Sequence, residues 1–281
     1  MAKNKYSNKR SAPAKTAETA PGVQPEKKFT KKQKTIVICL VVVIALALVA
    51  GVVVVSLYAT GAFEKEGATL HSRDVDNGFK KYFVTGGTYP GTYAVMTLND
   101  GEKDYVIEIL LMPEYAPKTV NNFIQYAEEG FYEGTVIHRI VPDTYTFQGG
   151  GYTYANGKYS KKTATHDAIV GEFKNNTSGN YEKNTISHFA GSISMARQGA
   201  NASSSKQTKE AAYNSATSEF FLSWKNYPSW DGDYAAFGFI VDSEDVQAIK
   251  TLGETTEIDE SGYPLSALTI TKVEIKVVPE N

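Results

Sequence analysis

The residues best equipped for chemistry sit in one stretch, GTVIHRIVPDTYTFQGGG, running from Gly134 to Gly151. His138 and Arg139 lie among β-branched neighbours, so a strand with its period of two turns their side chains to opposite faces. A guanidinium is always charged and offers a rigid fork of donors, which suits it to stabilise an electron pair that appears during a reaction. An arginine here equally suits a bland role, snorkelling at the rim of a sheet. The residue types alone leave both readings open. His138 reads as a structural, hydrogen-bonding histidine, since spacing places no titratable nucleophile beside it. Gln148 ends the run, and Gly149, Gly150 and Gly151 let the chain bend closely past whatever lies alongside. A phosphate-binding loop is the rival reading of these glycines, but no lysine-serine pair follows them. The four histidines, His71, His138, His166 and His188, show no paired ligand spacing, and GSISM is not a nucleophile elbow. Metal-assisted and hydrolytic chemistry therefore find little support.

The elements that must hold these residues are mostly strands. TYAVMTLND (Thr92 to Asp100) and DYVIEILLM (Asp104 to Met112) read as a hairpin around GEK. Pro117 opens a pattern in which Val120, Phe123, Ile124 and Ala127 recur at helical spacing until Gly130 ends it. Further strand candidates are TVIHRIV, TYTFQ, SISMA, SEFFLSW, AAFGFIV and ALTITKVEIKVV, with a short helix in DSEDVQAIKTLG. Many short strands, glycine turns and only two helices predict a closed or nearly closed antiparallel barrel.

Upstream, the composition changes twice. Residues 1–34 carry ten Lys/Arg against Glu18 and Glu26, with few large apolar groups, and read as a basic, disordered cytoplasmic tail. Ile36 to Leu57 is a run of 22 residues without a charge. At about 1.5 Å per residue it is long enough to cross a hydrocarbon core of about 30 Å. Residues 35–58 are therefore expected as a transmembrane anchor. Lys27, Lys28, Lys31, Lys32 and Lys34 abut its start, which puts the N-terminus in the cytoplasm and the bulk of the chain outside the cell membrane. Residues 59–87, charged and glycine-punctuated, read as a juxtamembrane linker, and 88–279 as the folded domain. Cys39, the single cysteine, falls inside the apolar run, so the exported part forms no disulfide. The net charge of −2 hides a basic excess confined to the tail, which argues against a nucleic-acid partner. NNTS and NAS place glycosylation sequons at Asn175, Asn176 and Asn201.

Five segments in order and spacing, APKTVNNFIQYAEEGFYEGTVIHRIVPDTYTFQGGG, IVGEF, GSISMA, SEFFLSW and WDGDYAAFGFIVDSEDVQAI, resemble the cyclophilin family of peptidyl-prolyl isomerases. The likeness runs from Thr92 to Val278 and is to a membrane-anchored, extracytoplasmic, bacterial-like form. It implies a mainly β fold, a closed eight-stranded antiparallel barrel with two flanking helices, preceded here by one transmembrane helix. It also implies cis/trans interconversion at X-Pro bonds in exported proteins, with proline-containing unfolded or extended polypeptides as partners and neither cofactor nor metal. By this resemblance Arg139 falls on the catalytic arginine, Gln148 on the glutamine that contacts substrate backbone, and Phe221 on the floor of an apolar proline pocket. Tyr145 takes the place of another pocket phenylalanine and Phe147 shares the wall, because the chain from Arg139 to Gln148 is one residue longer than the family spacing. Ala196 matches the small residue where substrate backbone passes.

Several positions depart from the family pattern. Arg197 stands where many members have asparagine, Glu219 replaces a common glutamine, and Trp230 falls on a pocket leucine. Ser229 occupies a tryptophan position and Tyr234 a histidine position. The tryptophan position governs cyclosporin affinity in the family, so weakened cyclosporin binding is expected. RQGANASSSKQTKEAAYNSATSE exceeds the family's link by about a dozen residues and is expected as an enlarged loop bordering the groove. These departures keep a second class of function open, a catalytically weak chaperone or scaffold that binds proline-containing segments.

Overall fold

The structure is a computed structural model that describes residues 67–178, 181, 183–199 and 205–280. The tail and the expected anchor lie outside the described residues, and among the described residues no helix is long and apolar enough to cross a membrane.

β3 (Gly91–Asn99) and β4 (Asp104–Leu111) form the expected hairpin. Ala94, Met96 and Leu98 enter the main core at a period of two, while Tyr93 packs in a second cluster on the other face. β13 (Leu268–Val278) runs along β3, with a register shift between Ile270 and Lys272. The other strands of this sheet are β5 (Val136–Ile137), β6 (Arg139–Val141), β7 (Thr146–Gly149), β10 (Ser192–Met195), β11 (Phe220–Ser223) and β12 (Ala236–Ile240). Their order is β5-β13-β3-β4-β12-β10-β11-β7-β6, antiparallel throughout. The two ends of the sheet, β5 and β6, are separated only by His138. One bent segment thus pairs with β13 through its first half and with β7 through its second. Counted as one strand, it turns the sheet into a nearly closed barrel of eight.

The interior is aromatic. Phe123 lies 5.1 Å from Tyr132, 5.7 Å from Phe220 and 5.3 Å from Phe237, ring centre to ring centre. Phe123 belongs to α1 (Pro117–Glu128), which also buries Val120, Tyr126 and Ala127. Ile124, expected on that face, is only partly buried. Ala116 at the start of α1 has no side chain that could accept a hydrogen bond, and buried Glu172 takes over from a distance. Its Oε2 accepts from Thr119 N at 2.7 Å and its Oε1 from Lys118 N at 3.1 Å. A carboxylate at the positive end of a helix satisfies donors that the helix itself leaves open.

Three features depart from the expectations. β1 (Thr69–Asp74) and β2 (Lys80–Thr85) form a hairpin where a linker was expected, so the folded domain begins before residue 88. Its turn has φ of 50° at Asn77 and 83° at Gly78. An Asn-Gly pair with both residues at positive φ is the favoured two-residue hairpin turn, because its twist matches that of the strands. β8 (Tyr152–Ala155) and β9 (Lys158–Lys161) repeat the device around Asn156 and Gly157, with φ of 52° and 75°. The enlarged loop contains a helix, α2 (Lys206–Tyr213), whose first turn is capped by Ser205 Oγ accepting from Thr208 N at 3.1 Å. With α3 (Ser243–Thr255) the described residues hold three helices rather than two. Asn176 is 1 % exposed, its amide donating to Gly171 O and Asn214 Oδ1, which closes that sequon to modification in the folded protein. Asn201 lies outside the described residues.

Candidate active site

Cross-strand register sets four residues in a row: Arg139 opposite Gln148, Gln148 opposite Phe221, and Phe221 opposite Ser194. Partners in an antiparallel ladder share a face. The adjacent row, Ile140, Phe147, Leu222 and Ile193, is buried in the barrel core, so the first row lies on the outer face. Phe147, expected on the pocket wall, is therefore a core residue at 0 % exposure: it neighbours Gln148, and the pleat sends it inward. Arg139 is exposed, and its guanidinium makes no hydrogen bond or ion pair with a described residue. Its donors remain available to a ligand.

Gln148 is oriented by Glu219. Its Nε2 donates to Glu219 Oε2 at 2.9 Å. An ionised carboxylate only accepts, so the amide is fixed with Oε1 facing away from it. Glu219 also faces His138 Nε2 at 3.4 Å and Lys161 Nζ at 3.5 Å. Burial pushes its carboxyl up, but the hydrogen bond and charge of His138, with Lys161 and Gln148, outweigh burial and hold it below its ordinary value of 4.5. A lowered folded pKa means that Glu219 stabilises the fold fully above its unfolded value. That contribution is lost as pH falls through the lower folded value. Thermal melts of Glu219→Gln between neutral pH and about pH 3 are expected to show a shallower acid loss than wild type. Identical acid limbs would contradict this electrostatic assignment.

The three glycines after Gln148 serve packing. A Cβ at Gly149 would meet Ile137 Cδ1 at 2.6 Å, and one at Gly151 would meet Glu219 Cγ at 2.3 Å. Gly150 has φ of 83° and a Cβ there would lie 2.9 Å from Ser218 O. They admit β5, β11 and Glu219 at close range, which is what the chain bends past.

Phe221 is the centre of an aromatic cluster. The rings of Trp230 and Tyr234 stand edge-on to it at 5.1 and 5.5 Å, and His188 stacks on it at 5.9 Å. Tyr227 joins Trp230 at 5.0 Å and leads on to Tyr145 at 6.1 Å. Phe221 is 2 % exposed, with the rings of Trp230 and Tyr234 against it. Trp224, the other tryptophan, is itself 2 % exposed. Adding an X-Pro peptide is thus expected to change tryptophan emission through Trp230, and Trp230→Phe to abolish the change. A signal that persists in Trp230→Phe would place the peptide elsewhere.

The family model described as cyclophilin type peptidyl-prolyl cis-trans isomerase/CLD matches residues 93–275. The chain belongs to the cyclophilins. This cyclophilin is 31% identical over 160 residues to peptidyl-prolyl cis-trans isomerase A of Dickeya dadantii, covering 55% of this chain and 68% of that one. It is 34% identical over 144 residues to peptidyl-prolyl cis-trans isomerase B of Bacillus subtilis, covering 50% and 78%. A crystal structure of a Cryptosporidium parvum cyclophilin type isomerase in the presence of the dipeptide Ala-Pro is similar with a TM-score of 0.47 at 21% identity, covering 67% of this chain and 99% of that one. By family and relatives the cyclophilin described here is an isomerase.

The structure brings Arg139, Gln148, Glu219 and Phe221 onto one outer face of the cyclophilin, with Trp230 and Tyr234 over Phe221. Ala196 borders a cavity of about 400 Å³ beside Gln148 and Glu219, with Ser215 and Thr217 from the enlarged loop also among its lining residues. Arg197 lines the same cavity and is also tied into the fold. Its Nε and Nη2 donate to Asp233 O at 3.1 and 2.9 Å, its Nη1 donates to Gln198 O, and its guanidinium lies 4.4 Å from the Tyr234 ring and 4.7 Å from Tyr213. It clamps Tyr234 to α2. Tyr145 sits at the outer end of the aromatic file against Trp224, one ring away from Trp230. Sequence reasoning missed His188 and Tyr227. His188 is fully buried, with Nδ1 2.9 Å from Asp231 Oδ1, and a search for paired metal ligands passes over a lone histidine whose partner lies 43 residues on.

Proposed function

We infer that this isomerase is anchored in the cell membrane by residues 35–58 and acts outside the cytoplasm on X-Pro bonds of exported chains. The uncharged run and the lysines before it support the location. An X-Pro amide resists rotation because twisting destroys its resonance, a barrier of about 18–20 kcal/mol. The catalyst breaks no bond; it binds the twisted amide better than either planar form. Twisting makes the prolyl nitrogen pyramidal and gives it a lone pair. Arg139, exposed and unpaired, donates to that nitrogen, while Gln148 Oε1 accepts from substrate backbone and the Phe221 cluster takes the ring. If these contacts lower the barrier by about 5–7 kcal/mol, the rate rises roughly 10⁴ to 10⁵ fold. The observation that carries this reading is the free guanidinium in register with Gln148 and Phe221.

The cover over Phe221, and serine at the position that governs cyclosporin affinity in the family, favour a second reading. In it the chain binds proline-containing segments as a scaffold or chaperone with little turnover, and cyclosporin binds weakly. Exchange NMR of an X-Pro peptide with the full-length chain separates the two. Enhanced cis/trans exchange supports the enzymatic reading, whereas binding without enhanced exchange supports the second.

A further inference from the structure

The family match begins at residue 93, so the β1–β2 hairpin lies outside it, yet the hairpin reaches both segments that flank the aromatic cluster. Lys80 N donates to Thr185 O at 2.8 Å and Ser187 N donates to Lys80 O at 2.8 Å, a short parallel bridge centred on Ile186. The next residues face the cluster. Ser187 Oγ donates to Asp231 Oδ2 at 2.6 Å, and His188 N donates to Asp231 Oδ1 at 2.7 Å. His188 then stacks on Phe221, and Asp231 directly follows Trp230. Phe79, the residue before Lys80, is 6 % exposed and leans on the second segment. A Cβ at Gly232 would lie 3.4 Å from Phe79 Cζ and 3.3 Å from Asn175 Nδ2, so the Phe79 ring and Asn175 together border the loop at Gly232. Asn175 supports the same loop, its N donating to Gly232 O at 2.8 Å and its Nδ2 to Asp233 Oδ1 at 2.9 Å.

We propose that Phe79 is a positioning residue of the isomerase site: through Gly232 and the Lys80 bridge, the hairpin fixes Asp231, and with it His188 below Phe221 and Trp230 beside it. The inference rests on reading the Phe221 cluster as the proline site. A loop rigidly backed by a buried ring holds its aromatic side chains in one arrangement, and displacement by about 1 Å from a remote change is enough to cost on the order of a hundredfold in rate.

The test uses the full-length chain with Phe79→Leu and Phe79→Ala, at temperatures where each melts cooperatively well above the assay. kcat/KM for an X-Pro peptide is expected to fall in the order Phe, Leu, Ala, by roughly tenfold to a hundredfold for alanine. Acrylamide quenching, which reaches Trp230 because Trp224 is buried, is expected to rise in the same order. Phe83→Ala, an exposed position on the same hairpin, leaves both unchanged. Folded Phe79 variants with wild-type kinetics and quenching overturn the proposal, as does an equal effect of Phe83→Ala. If Phe79→Ala fails to fold, Phe79→Leu against wild type decides between the same outcomes. Quenching is read without substrate, so an Arg139→Ala protein with full activity would refute the site while leaving the hairpin's role measurable.

Discussion

Replacing Arg139 by alanine is expected to lower kcat/KM for X-Pro isomerisation by about 10² to 10³ fold, the usual cost of deleting one donor aimed at developing charge. Stability is expected to stay within about 0.5 kcal/mol of wild type, because the side chain is exposed and ties nothing in the fold together. The separation of the two effects is the point of the experiment, since a rim arginine would lose neither. Arg139→Lys retains the charge but loses the planar fork, and should fall between wild type and alanine. Peptide isomerisation rates and thermal melts on the same preparations check both statements. Equal rates in a folded Arg139→Ala protein would remove the enzymatic assignment of this face.

Phe221→Ala is expected to lose both function and stability. A large buried ring replaced by alanine costs about 3–5 kcal/mol through lost transfer energy and the cavity left behind. Phe221 is 2 % exposed and in ring contact with His188, Trp230 and Tyr234, so little around it can collapse to fill the space. At a temperature where the variant remains folded, kcat/KM is expected to fall about 10² fold as the prolyl ring loses its floor. Phe221→Leu, which keeps most of the apolar volume, should recover much of the stability. A folded Phe221→Ala that isomerises at the wild-type rate would place the proline ring elsewhere.

The outer row was legible through the family likeness, which supplied Arg139, Gln148 and Phe221; the period of two only separated Arg139 from His138, and the row itself is set by cross-strand pairing. Phe147 was misplaced because an extra residue between Arg139 and Gln148 blurred which neighbour faces out, and only the ladder fixes it. Arg197 was visible as a departure from the family pattern, but the contacts that hold it were not. Its three aromatic neighbours, Phe173, Tyr213 and Tyr234, come from distant parts of the chain, and no local pattern announces them. The two short hairpins were missed despite the Asn-Gly pairs at Asn77 and Asn156, because among their strand residues only Tyr82 is buried and the runs lack clear alternation. Closure of the barrel through His138 depends on pairing with β13 and β7, two partners more than a hundred residues apart in sequence, and was accessible only as a strand count.

The bent segment around His138 has a wider consequence. Arg139 sits at the seam of the cylinder, one residue beyond the point where its two free edges are stitched together. The ladder with β7 that aligns Arg139 with Gln148 lies on one side of this seam and the pairing of Val136 and Ile137 with β13 on the other. Loosening β5 from β13 therefore reaches Arg139 only through His138, while its own ladder to β7 is a separate set of pairs.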